Sequence, residues 1–298
     1  MNGCYGVGIN LKWMTDGGVY LSQESFVDML VNKFGLSNEK GVCCPIQKGV
    51  AMSERGRPTT DEERVRCEKL PYRELVGSLL YLTGTRPDIA FVVGRLCRFM
   101  NGYGVENYEA AKRVLKYLKQ TKNMGLKYDG SEQEEILKLV VDSDHAGCPD
   151  TGRSTTGFMI KFGECMINWK SVMQKTVALS TTESEYMALC SGVRELLWTK
   201  QVCEFLEVKF EEPIAVFVDN TGAMAIANHQ GDDLRGRTKH MNVRYHFTKE
   251  QVQSGNIKLY YVPSEKNVAD ILTKPLARDV FEGHRNKIPI GPAGECQI

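Results

Sequence analysis

The chain lacks an excess of charge of either sign. Lys and Arg total 38 against 37 Asp and Glu, a net charge of +1. A uniformly basic nucleic-acid binder is therefore not indicated, and any grip on phosphate has to come from local patches. Long hydrophobic runs are missing too. Stretches such as 89–93 fall far short of the roughly 20 apolar residues that span a bilayer. The first residues hold no charged segment followed by an apolar one, so no secretory leader is expected. There is no C-x-x-C pair. Of the ten cysteines, Cys97, Cys190 and Cys203 fall inside apolar helical patterns, which predicts free thiols in a reducing compartment rather than disulfides. His145 and Cys148 have ligand-like spacing, but no second pair answers them, so no zinc site is expected. A G-x-S-x-G elbow, a Walker A loop and a Cys–His nucleophile pattern are all absent, as are internal repeats. What is present is ordinary for a globular chain, 42% hydrophobic and 25% charged over 298 residues. That length predicts about two domains.

Residues 1–60 read as a fragment of a domain plus a linker. Two short strands, 6–11 and 18–21, precede a helix that Ser22 caps, with Phe26, Met29, Leu30 and Phe34 on its apolar positions. Residues 38–69 are polar and irregular, a surface linker. Residues 61–130 are expected to be mostly helical. Three helices run over 71–82, from Pro87 to about 99, and over 105–120. The third carries Lys112, Lys116 and Lys119 on its polar positions. A solvated helix face accounts for them, and a phosphate-tracking helix is the functional alternative.

From about 134 to 280 the pattern becomes α/β. Three strands (136–141, 156–162, 165–169) lead into a long helix over 181–205. A strand at 214–218, helices at 223–228 and 240–253, a strand at 257–262 and a final helix from about 268 follow. Three antiparallel strands feeding an α/β half predict a mixed five-stranded sheet with flanking helices. Residues 281–298 read as a C-terminal tail.

Four acids stand at element ends: Asp142 after Leu139-Val-Val, Glu185 in the first turns of the long helix, Asp219 after Val218, and Asp270 near the last helix start. Ligand sites in open α/β sheets gather outside the carboxyl ends of strands. Carboxylates without histidine favour hard cations, Mg²⁺ or Mn²⁺. Singly, each has a structural reading. Ser180-x-x-Glu183 fits a capping box, Asp219-Asn220 a turn, and Asn267-x-x-Asp270 another cap. Asp144 shares a strand face with Asp142, so geometry alone does not choose between them. Glu185 instead heads the stripe Leu189, Val193, Leu196, which surface solvation does not explain.

The strings Val141-Asp-Ser-Asp-His-Ala-Gly147, Arg153-Ser-Thr-Thr-Gly157, Val177 through Leu189, Val218-Asp-Asn220, Arg237 through Phe247 and Asn267 through Leu276 resemble the ribonuclease H domain of copia-type retrotransposon Pol polyproteins. Leu21-Ser-Gln23, Pro71 through Leu82 and Thr85-Arg-Pro-Asp-Ile-Ala90 resemble the end of the same elements' reverse transcriptase, a partial palm and thumb region. The resemblance implies a ribonuclease H-like fold and puts the family's catalytic and metal-binding acids on Asp142, Glu185, Asp219 and Asp270, in an order unlike that of transposases, where the Glu comes last. It implies two Mg²⁺ ions, with Mn²⁺ a possible substitute, and endonucleolytic cleavage of RNA in RNA–DNA hybrids. The partners it implies are the hybrid and the rest of the Pol machinery, with no membrane and no small-molecule cofactor. The setting is intracellular, a cytoplasmic virus-like particle or the nucleus. Expected nucleic-acid contacts are Lys112, Lys116, Lys119, Arg153, Asn220, Arg237, Lys239 and His240. The family's Tyr-x-Asp-Asp polymerase motif is absent, His145 replaces a usual Trp, and 231–236 departs from the usual short loop. A catalytically silent or domesticated hybrid-binding remnant is the competing reading.

Overall fold

The computed structural model of the chain describes residues 3–49, 52–128, 136–229 and 239–292, with backbone alone at 3–6, 239–243 and 245. It divides into two compact units, Met1–Glu132 with Pro275–Ile298, and Gln133–Lys274.

The first unit holds β1 (Gly3–Gly6), β2 (Ile9–Trp13), β3 (Val19–Ser22), α1 (Glu24–Lys33), α2 (Asp61–Glu68), α3 (Tyr72–Leu82), α4 (Ala90–Cys97), α5 (Val105–Gln120) and β4 (Met124–Tyr128). Its sheet is antiparallel and runs β1-β2-β3-β4-β10, where β10 (Ile290–Pro292) returns from the chain's far end. The sequence pattern gives two strands here, too few for a core. The pairing of Val19–Ser22 with Met124–Tyr128 supplies what local periodicity does not show. Ser22 ends β3 and does not cap α1; Gln23 holds the cap position, without a side-chain bond to the helix. The stretch read as linker contains α2, whose first turn is fixed by a Thr60–Glu63 capping box.

The helical core packs Leu75, Leu79, Leu82, Ile89, Leu96 and Leu115, all fully buried. Inside it lies an ion pair. The Arg86 guanidinium donates to both Asp88 oxygens (2.9 and 2.7 Å) and to the Thr121 carbonyl and hydroxyl (2.9 and 2.8 Å). The Tyr117 hydroxyl donates to Asp88 at 2.5 Å. This explains Thr85-Arg-Pro-Asp in structural terms, as a buried polar clasp.

The lysines of α5 have partners within this unit. Lys112 pairs with Glu109 (2.7 Å) and Lys116 with Glu39 (3.2 Å). Lys119 donates to the carbonyls of Leu36, Ser37 and Glu39 at 3.1, 2.6 and 2.8 Å, closing the turn after α1. Lys119→Ala is expected to lower the stability of this unit by about 1 kcal/mol, the net worth of charge-assisted bonds discounted for exposure. A urea midpoint unmoved by the change would return Lys119 to the free helix face.

The second unit holds β5 (Leu137–Ser143), β6 (Thr155–Phe162), β7 (Cys165–Met173), α6 (Thr181–Phe205), β8 (Ile214–Val218), α7 (Thr221–Asn228), α8 (Lys239–Gln253) and β9 (Ile257–Tyr261). Its sheet runs β7-β6-β5-β8-β9, antiparallel through β7, β6 and β5 and parallel through β5, β8 and β9. This is the mixed five-stranded sheet expected from the element order. Leu137, Leu139 and Val141 alternate inward and are buried with Leu189, Val193 and Leu196 of α6. Gly192 allows this close approach, since a Cβ there would stand 2.7 Å from Val141 Cγ1. The segment expected to open a final helix is instead a 3₁₀ turn, Val268–Leu272. The last helix is α9 (Arg278–Arg285), followed by β10 (Ile290–Pro292), which pairs with β4 in the first unit's sheet where the sequence suggests a tail. Eight cysteines are free among the described residues, as the composition implies.

Candidate metal centre

Parallel pairing builds the site. Lys138 lies opposite Ala215 and Val140 opposite Phe217, so the same register carries Asp142 level with Asp219 just beyond β8. Glu185 enters from α6. Ser180 caps that helix by accepting from Glu183 N at 3.2 Å, while the Glu183 carboxylate accepts from Leu179 N at 2.8 Å. Glu183 is thereby a capping residue, and Glu185, two positions on, faces inward and is buried. Asp142, Glu185 and Asp219 each offer a carboxylate oxygen, and these oxygens lie within 4.8 Å of one another.

Asp270 reaches this neighbourhood on the Val268–Leu272 turn. Asn267 Nδ2 donates to the Val141 carbonyl at 2.9 Å and Ser171 Oγ to the Leu272 carbonyl at 2.6 Å, fastening the turn to the sheet. Gly157, opposite Asp142 in β6, leaves room for it, because a Cβ there would come within 2.6 Å of Thr273. The Thr273 hydroxyl donates to Asp142 Oδ2. Asp270 itself is turned to Lys274, whose Nζ is 2.7 Å from Oδ1. Three of the four expected acids therefore form one cluster, and the fourth stands beside it in an ion pair.

The other expected positions are distributed differently. Asp144 closes its own turn, accepting from Thr155 N and donating its backbone N–H to Thr155 O at 3.2 Å. Asn220 caps α7 through Ala223 N at 2.8 Å. Arg153 is half-buried in the loop before β6. Arg237 lies outside the described residues; Lys239 and His240 open α8, where only the backbone is described.

Burial dominates the electrostatics. It pushes the Asp142 carboxyl up to about 8, with Asp270 adding repulsion and Lys274 opposing. Burial, then Asp142 and Asp219, pushes Glu185 up to about 9. Glu185 Oε2 is buried without a hydrogen-bond partner. Crowded carboxylates that favour the proton, one with an unsatisfied oxygen, suit a small divalent cation with oxygen ligands.

Sequence spacing missed most of a basic rim nearby. Lys170, Lys175, Arg194 and Arg244 line a cavity of about 370 Å³ with Gln174. Gln174 Nε2 donates to Thr156 Oγ1 (3.1 Å) and to the Ser184 carbonyl (2.9 Å), next to Glu185 in the chain. Lys170 comes from β7, Lys175 from the segment after it, Arg194 from α6 and Arg244 from α8; only Arg244 belongs to a basic run of the sequence, the acid-free stretch 235–249.

A mixed sheet in this strand order, with acids from its first strand, its fourth strand and the helix between them, defines a ribonuclease H-like domain. The chain belongs to the Pol polyproteins of copia-type retrotransposons. It is 38% identical over 269 residues to the retrovirus-related Pol polyprotein from transposon TNT 1-94 of Nicotiana tabacum, a match covering 90% of this chain and 20% of that protein. Identity to the corresponding polyprotein from transposon RE1 of Arabidopsis thaliana is 33% over 287 residues, covering 96% and 19%. The chain thus spans about a fifth of the length of the curated relatives it matches. Among solved structures, LC11-RNase H1 isolated from compost matches with 16% identity and a TM-score of 0.36, covering 50% of this chain and 97% of that one. No family model matches the chain.

Proposed function

We propose that the second unit is a ribonuclease H that cuts the RNA strand of RNA–DNA hybrids endonucleolytically, with Asp142, Glu185, Asp219 and Asp270 as its acids and Mg²⁺ as its cation. The observation that carries this reading is the convergence of three carboxylates with a buried, unpartnered Glu185 oxygen. Bound there, a pair of Mg²⁺ ions would supply an activated water and stabilise the leaving oxygen. The chain's own residues do the positioning. Asp142 is held by the sheet and by the Thr273 hydroxyl, and Glu185 by the capped start of α6. The rim of Lys170, Lys175, Arg194 and Arg244 offers phosphate contacts for the hybrid backbone. The 2′-hydroxyl distinguishes the strand to be cut. Such an activity belongs with the rest of the Pol machinery where hybrids form, in a cytoplasmic virus-like particle or the nucleus.

The test is cleavage of a labelled hybrid in Mg²⁺ and in Mn²⁺ by a set of charge-removing variants. Glu185→Gln and Asp219→Asn are expected to lose cleavage by about a thousandfold or more, as Asp142→Asn should, while still binding hybrid. Asp144→Asn should keep most activity, since its carboxylate serves a turn, and Asp270→Asn should be intermediate. An inactive Asp144→Asn beside an active Asp142→Asn would reassign the first ligand. A wild type that binds hybrid but cuts in neither metal would leave the binding remnant as the function.

A further inference from the structure

Lys274 stands among the carboxylates without any role in the reading above. Its Nζ is 2.7 Å from Asp270 Oδ1, across one turn of chain, and its side chain is 37% exposed against 9% for Asp270. The acids facing it come from three elements: Asp270 on its own turn, Asp142 from β5 and Asp219 from the end of β8. The turn that carries both partners is fastened by Asn267 to Val141 and by Ser171 to Leu272, so Lys274 and Asp270 cannot drift from the site together. Asp270 is also absent from the set of carboxylates within 4.8 Å of one another.

We propose that Lys274 is a positioning residue that holds Asp270 apart from the Asp142–Glu185–Asp219 cluster and competes with a divalent cation for it. The inference rests on the metal-centre reading above and adds a control on it. An ammonium and a divalent cation near the same carboxylate repel each other, so full use of Asp270 requires the Lys274–Asp270 pair to open. Opening is easy in one respect, because the lysine stem is flexible and more than a third exposed, so the ammonium can swing into water. The exchange is reciprocal. Whatever Lys274 subtracts from cation affinity, the bound cation subtracts from the ion pair. Asp270 then has two positions of service, one on lysine and one on the cation, and the three clustered acids have one.

The experiment is calorimetric titration of Mg²⁺ and Mn²⁺ into the full chain without nucleic acid, for wild type, Lys274→Met, Lys274→Gln and Lys274→Arg. Removing the positive charge is expected to tighten cation binding about tenfold, and Lys274→Arg should stay within a factor of about three of wild type. Thermal melts in EDTA should show the opposite order, with Lys274→Met and Lys274→Gln less stable, because the carboxylates lose their counter-charge. Lys274→Gln keeps a polar group on the turn and serves if the Met variant does not fold. Wild type and Lys274→Gln binding the cation equally well would overturn the proposal and make Lys274 a plain structural ion pair. Absence of measurable cation binding in wild type and in the charge-removed variants alike would overturn the metal-centre reading itself, and this inference with it.

Discussion

Asp142→Asn is expected to abolish hybrid cleavage and, in the same protein, to raise the thermal midpoint measured in EDTA. The two effects have one cause. Burial and the neighbouring Asp270 favour the protonated form of Asp142 in the fold, up to about 8, whereas the unfolded chain ionises in the ordinary carboxylate range. Between those limits the folded protein binds a proton that the unfolded chain does not, so stability falls as pH rises. Asn never ionises and escapes that loss. The gain near neutral pH should be roughly 1–2 kcal/mol, or several degrees in midpoint. Glu185→Gln should behave likewise, with the decline extending toward about 9 in the wild type. Excess Mg²⁺ should reverse the ranking, because a divalent cation favours the ionised carboxylates and stabilises only the form that binds it. Melts at pH 5, 7 and 8.5, with EDTA or Mg²⁺, read all of this. An Asp142→Asn protein less stable than wild type in EDTA at every pH would show that the carboxylate is structural.

The second large effect belongs to the first unit. Asp88→Ala should destabilise it by roughly 3–5 kcal/mol, because the fully buried Arg86 guanidinium would lose its counter-ion and stay out of water. Burial alone would lower the Arg86 pKa; the adjacent Asp88, with Tyr117 adding, holds it above its ordinary value. Asp88→Ala removes that support, but a guanidinium is basic enough to stay charged in a protein, so shedding the proton does not relieve the loss. Tyr117 would also lose the acceptor of its hydroxyl. The double variant Arg86→Met with Asp88→Leu should recover much of the stability, since an apolar pair of similar volume removes both the attraction and the desolvation cost. Hydrogen-exchange protection of α5 amides reports on this unit directly. A loss under about 1 kcal/mol for Asp88→Ala, or a double variant worse than the single, would contradict this account of the clasp.

The linear pattern was enough to place the four acids at the ends of particular elements. Asp142 and Asp219 follow short apolar runs that read as buried strands, and Glu185 heads the inward stripe of a long capped helix. Element order then predicted a mixed sheet with four acids at element ends, and the structure gathers three of them. Local periodicity also separated Glu183 from Glu185, because a cap and a buried stripe cannot share a direction on a helix. The tertiary structure alone decided the rest. Asp144 is set aside by a backbone N–H eleven residues away, at Thr155. Lys119 looks like a solvated helix face until the turn at 36–39 folds onto it. Val19–Ser22 gains its neighbour from Met124–Tyr128, and that strand gains its own from Ile290–Pro292. Asp270 is read as a helix-start acid, yet its partner is set by a 3₁₀ turn that Gly157 admits to the sheet. Strand and helix signals depend on near neighbours and survive in the linear pattern. Ion pairs and sheet edges depend on which distant segments meet, and the pattern does not record that.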